Sequence, residues 1–96
     1  MTKFELEAHA KSPIDKWTLE IHDKQDQVVR RFSGHEQPPS HVMWDGKNEA
    51  GMPLPDGVYT YQLTVVDTVG RIMTDSGRTV EITTGGPSGS VPVLLE

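Results

Sequence analysis

Four carboxylate or carboxamide side chains fall in one short stretch, WDGKNEAGMPLPDGVYTY, running from Trp44 to Tyr61: Asp45, Asn48, Glu49 and Asp56. Carboxylate and amide oxygens at close spacing are the donor set of a hard cation, and calcium is the ion to weigh, with Asp45, Asn48 and Asp56 as its candidates. A calcium loop sets its donors at regular alternate positions around a glycine bend. The spacing here is irregular, and Pro53 and Pro55 stiffen the second half. Trp44 opens the segment directly before a turn, where it could cap one end of the sandwich or stand partly exposed. An indole exposed beside Asp45 and Asn48 would make a platform for a sugar or a peptide, so Trp44, Asp45 and Asn48 are the candidate binding residues.

Catalytic chemistry finds little support elsewhere. His9, His22, His35 and His41 are scattered, with no metal-ligand spacing among them. His35 and His41 flank EQPPS and could meet across a loop. Ser33, Ser40, Ser76, Ser88 and Ser90 sit in turn or linker sequence, without a nucleophile-elbow pattern. The absence of cysteine removes disulfides, thiolate metal sites and a thiol nucleophile. At 96 residues the chain can bury one modest core, which leaves little scope for a deep cleft. No enzymatic activity and no cofactor are expected.

The same loop residues have a structural reading. Asp45-Gly46 is a turn dipeptide, Gly51 supplies a second bend, and Pro55-Asp56-Gly57 makes a third before the chain enters a strand. Leu54 is the strongly apolar residue of the loop and is expected to tuck onto the core. Tyr59 then sits where immunoglobulin-like sandwiches place a tyrosine whose hydroxyl bonds back to the corner, with Tyr61 two residues on. This reading gives every residue a role without a ligand, and the loop is read first as a corner.

The elements that hold this corner have a period of two. Phe4, Leu6 and Ala8 alternate with polar residues, as do Trp17, Leu19 and Ile21, then Tyr59, Tyr61, Leu63 and Val65, then Val80 and Ile82. Turn sequences separate the runs. IHDKQDQVV reads as one hairpin and VVDTVGRIM as another, with Gly70 free to take positive φ. No window shows a helical stripe. The expected fold is all-β: an antiparallel immunoglobulin-like or fibronectin III-like sandwich of about seven strands, without a disulfide. Its expected core is Trp17, Leu19, Ile21, Phe32, Tyr59, Tyr61, Leu63 and Val65.

Charge bounds the partners. The net charge is −5, and the single basic doublet, Arg30-Arg31, would point to opposite faces of a strand. Nucleic acid and anionic membrane surfaces are disfavoured. No stretch reaches membrane-spanning length, and MTKFELEAHA lacks the apolar run of a signal peptide. The ending TTGGPSGSVPVLLE reads as a strand end, a Gly/Ser linker and the start of a further segment. The expected organisation is a sandwich over 1–84 and a flexible tail over 85–96, leading to another domain or ending in a Leu-Glu pair left by cloning. Val91, Val93 and Leu95 alternate, which makes the tail a candidate for strand addition at a sheet edge, where Pro92 would confine it. The rigid loop is the second candidate surface.

The order of motifs resembles the FlgD-type immunoglobulin-like domain of bacteria, named for the flagellar hook-capping protein and found also in surface, outer-membrane and secreted proteins. The resemblance runs from Ile14 to Ile82 and rests on Trp17, Trp44, Asp45, Gly46, Gly51, Gly57, Tyr59, Asp67 and Gly70. It implies a non-catalytic module for spacing, assembly or adhesion, contacting other protein domains. The expected setting is extracytoplasmic (periplasm, outer membrane or cell surface) within a longer exported chain. Two alternatives are a carbohydrate- or peptidoglycan-binding module using the 44–56 loop on envelope polysaccharide, and a hook-assembly domain.

Overall fold

Alternating apolar and polar side chains divide the chain into seven strands in the computed structural model, which describes residues 2–83 and 89–95. They are β1 (Thr2–Ala8), β2 (Ile14–His22), β3 (Val28–His35), β4 (His41–Trp44), β5 (Gly57–Asp67), β6 (Ile72–Ile82) and β7 (Gly89–Leu95). One sheet has the order β4-β1-β7 and the other β3-β2-β5-β6. Their inner faces share one core. Phe4, Leu19, Ile21, Trp44, Leu63 and Val65 are wholly buried in it.

Local geometry shows how the sequence reaches this arrangement. Strand β2 aligns antiparallel with β5 so that Leu19 lies opposite Leu63 and Trp17 opposite Val65. A register shift between Ile14 and Lys16 turns Ile14 to the same side as Trp17, and both are buried. A second irregularity in β6 brings Asp75 and Arg78 opposite the buried Leu63 and Tyr61. These two charges form an inward-facing pair, Arg78 Nε to Asp75 Oδ2 at 2.7 Å. Inward charge on an edge strand discourages pairing with another chain.

The strand pattern departs from the expected one at its ends. The two sheets are antiparallel except for one pair, β1 with β7, which runs parallel from Thr2↔Gly89 to Ala8↔Leu95. Residues 89–95, expected as part of a flexible tail, are therefore a strand of the sandwich. Val93 is 1% exposed and belongs to the core. The remainder of the expected linker, 85–88, and Glu96 lie outside the described residues, as does Ser88 among the serines. Pro92 accepts a hydrogen bond from the Tyr61 hydroxyl through its carbonyl, at 3.1 Å. Pro92 is also paired with Glu5 of β1 although it has no N–H to give, so the hydrogen bonds of that parallel rung run between Glu5 and the neighbours Val91 and Val93, and proline's missing N–H points away from β1 and costs that ladder nothing.

Phe32 departs in degree. It pairs with Leu19 but sits on edge strand β3, where it is half-buried beneath the Arg30 guanidinium, 4.6 Å from the ring centroid. The Arg30-Arg31 doublet thus splits between faces. Arg30 leans over Phe32, while Arg31 lies on the outer face and pairs with Glu20 at 2.7 Å.

Candidate functional site

The segment between β4 and β5 is built from short backbone-capping turns. Trp44 ends β4 on its inward side, opposite Thr2. It is completely buried, edge-to-face with Tyr59 at 6.1 Å and tilted against Phe4 at 6.3 Å. Its indole N–H donates to the Lys47 carbonyl at 3.1 Å. Of the two positions open to Trp44, capping one end of the sandwich or standing partly exposed, the structure has the first: the ring presents no face to solvent, and the sugar-binding reading loses its aromatic residue.

Asp45 and Asn48 turn their oxygens onto their own loop. Asp45 Oδ1 accepts the Lys47 N–H at 3.0 Å. Asn48 Oδ1 accepts the N–H groups of Ala50 and Met52 at 2.9 and 3.0 Å. The Asn48 N–H donates to the Met52 carbonyl, and the Leu54 N–H donates to that of Gly46. Short polar side chains stabilise turns in this way by replacing missing backbone partners. Gly46 and Gly51, both at φ +80°, supply the conformation these bends require. Among the described residues, no group of three or more His, Cys, Asp or Glu side chains is arranged to hold a metal ion.

Leu54 and Glu49 fasten the loop further to the sandwich. Leu54 is half-buried against the core. Glu49 reaches β3: its N–H donates to the Val29 carbonyl at 3.2 Å, and its carboxylate accepts the Arg31 N–H. The Arg30 guanidinium lies 3.9 Å from the same carboxylate. Glu49 thereby occupies backbone groups on the edge of β3 that an added strand would use. Sequence reasoning missed this role because Glu49 is eighteen residues from Arg31 and no local pattern links them.

The chain leaves the loop through the corner. The Tyr59 hydroxyl donates to the Pro55 carbonyl at 2.6 Å, and Gly57 between them has φ +151°. Burial raises the Tyr59 pKa, and the nearby carboxylates of Asp23 and Asp56 raise it further. A cleft of about 220 Å³ opens beside the ring, between the β2–β3 turn and the Pro55-Asp56 turn. At the opposite end Asp67 closes the β5–β6 turn. Its Oδ1 accepts the N–H groups of Val69 and Arg71 at 3.1 and 2.8 Å, and its Oδ2 pairs with Arg71 Nε at 2.9 Å. Burial would raise the Asp67 pKa, but those hydrogen bonds and the Arg71 charge outweigh it and hold the carboxyl below the ordinary range. Gly70, at φ +87°, completes this turn by donating to the Asp67 carbonyl.

A polar network on the outer face of the larger sheet also escaped the sequence reading. Glu20 accepts from Arg31 Nε at 2.9 Å and from the Gln62 amide at 3.3 Å, and its Oε1 lies 3.2 Å from His22 Nε2. The other His22 nitrogen faces the Asp26 carboxylate at 3.1 Å. Burial would raise the Glu20 pKa, but Arg31 and His22 lower it overall. His22 is thus part-buried in a network. His9 is exposed and faces Glu7, and His41 contacts the neighbouring Ser40 hydroxyl.

Among the described residues, Asp45, Asn48 and Asp67 direct their side-chain oxygens at backbone N–H groups of their own turns, and Glu49 directs its carboxylate at the backbone of β3. No curated protein matches the chain. The family model for the FlgD Ig-like domain matches residues 1–69, from β1 through β5 into the β5–β6 turn. With that match spanning most of its length, and with the all-β sandwich described above, the chain belongs to the FlgD Ig-like domain family.

Proposed function

We propose that the protein is a non-catalytic, in-line structural module that spaces and docks neighbouring domains of a bacterial envelope or surface protein. Membership of the FlgD Ig-like family supports a structural role and contacts with other protein domains. The observation that carries the in-line reading is the parallel pairing of β1 with β7. Because both strands run in one direction, β1 starts at one end of the sandwich and β7 finishes at the other. An antiparallel terminal pair would return the chain to its starting point. The body is also elongated, with extents of 42 × 24 × 22 Å. A module of this kind holds a neighbour joined at the start of β1 at a fixed distance from one joined at the end of β7. The family's exported and flagellar members support an extracytoplasmic setting, in the hook or on the envelope. With Trp44 buried, no aromatic platform supports the polysaccharide alternative.

Small-angle X-ray scattering of two full chains joined in tandem tests the reading. In-line stacking predicts a maximum dimension of roughly 84 Å, twice the 42 Å long axis. Side-by-side packing, with a maximum dimension close to that of one chain, would refute it.

A further inference from the structure

We propose that the β1–β7 ladder is a mechanical clamp, and that bearing tension along the chain is a function of this module. The inference rests on the in-line reading, since tension reaches the ladder only through chain entering at β1 and leaving at β7. The two strands are paired over seven register positions, Thr2↔Gly89 through Ala8↔Leu95. Force pulls β1 from its first residue and β7 from its last, in opposite directions along the strand axis. The rungs are then loaded together, in shear, and must fail together. If the strands were antiparallel, with both ends at one side, the same force would open the rungs one at a time. The bonds would be equally numerous, but the force needed to break them would be much smaller.

Three further features oppose sliding of β7. Val93 is buried, so displacement along β1 draws an apolar side chain out of the core. The Tyr61 hydroxyl holds the Pro92 carbonyl and ties β7 to β5 of the other sheet. Pro92 directs its missing N–H away from β1, so the one proline of the strand does not interrupt the ladder. Strand β1 is itself held on its other side by β4, over Thr2↔Trp44 to Glu5↔His41. The end of β1 where force enters is therefore paired on both sides.

The chain contains no cysteine, so engineered cysteines give unique attachment points for force spectroscopy on the full chain. Handles at Lys3→Cys and Leu94→Cys load the ladder in shear. Handles at His9→Cys and Leu94→Cys pull both strands from the same end and peel them apart. At one loading rate the shear geometry should rupture at a force at least about twofold higher, because forced unfolding reports the barrier along the pulled coordinate. Equal forces in the two geometries would overturn the proposal. Val91→Pro, which removes an N–H directed at β1, should lower the shear force while leaving the peeling force nearly unchanged. An unaltered shear force in a folded Val91→Pro protein would also overturn it. Because force is read within one chain, these results are independent of tandem stacking: a compact tandem with a strong ladder refutes the spacer, and an elongated tandem with equal forces refutes the clamp.

Discussion

Replacing Tyr59 by Phe isolates the corner hydrogen bond from everything else the ring does. The aromatic body, 6% exposed and packed edge-to-face on Trp44, is retained. The change removes the 2.6 Å bond from the hydroxyl to the Pro55 carbonyl. Pro55 is exposed, so its carbonyl regains a water partner and the penalty of a stranded acceptor does not apply. The loss is then the net value of one hydrogen bond, about 0.5–1.5 kcal/mol. In a domain of this size each kcal/mol lowers Tm by roughly 4–8 °C. Urea unfolding of the full chain, with calorimetry alongside, measures both quantities. An unchanged m-value would show that the denatured state is unaffected and that the difference belongs to the fold. A loss smaller than about 0.3 kcal/mol would refute the corner's energetic role, whatever its geometry.

Three other outcomes are expected. Gly34→Ala places a Cβ 2.7 Å from Trp17 Nε1, so the indole must shift; a loss of about 1–3 kcal/mol with altered tryptophan fluorescence is expected, and a neutral variant contradicts the packing. Gly57→Val forces a β-branched residue to φ +151°, at a cost of about 1–3 kcal/mol by urea unfolding; near-neutrality would mean that Gly57 does not hold a positive φ in solution. Asp67 has a lowered pKa in the fold, so its stabilising contribution is fully present above the ordinary aspartate value of about 3.9 and is lost as pH falls through the folded value. Asp67→Asn should therefore destabilise the protein at neutral pH and flatten the acid limb of its stability curve; parallel acid limbs for both proteins would exclude Asp67 as a source of it.

The central strands were legible because solvent and core alternate along them. Trp17, Leu19 and Ile21, and Tyr59 through Val65, each keep one face buried, and their period of two says so without knowledge of a partner. The turns were legible for a different reason: Asp45-Gly46 and Pro55-Asp56-Gly57 carry their geometry in their own backbone preferences. What the sequence hid depends on distant partners. Strand β7 was half legible: the alternation of Val91, Val93 and Leu95 marked it as a candidate edge strand, but its partner is the opposite end of the chain, and its Gly, Ser and Pro content is also that of a linker. Trp44 closes a strand of only four residues, too short for alternation to reveal its inward side. Phe32 has the right parity for the core but lies on an edge strand, where one flank has no neighbour to bury it. Glu49 and the Glu20 network are assembled by register and loop closure, which no local pattern encodes.

Everything proposed for this module depends on the direction of β7 against β1. Nuclear Overhauser contacts between the two backbones measure that direction in solution. The parallel register predicts cross-strand contacts that advance together, Phe4 with Val91 and Leu6 with Val93. Contacts running the opposite way, Phe4 with Val93 and Leu6 with Val91, would bring the chain ends to one side and contradict both the spacer and the clamp.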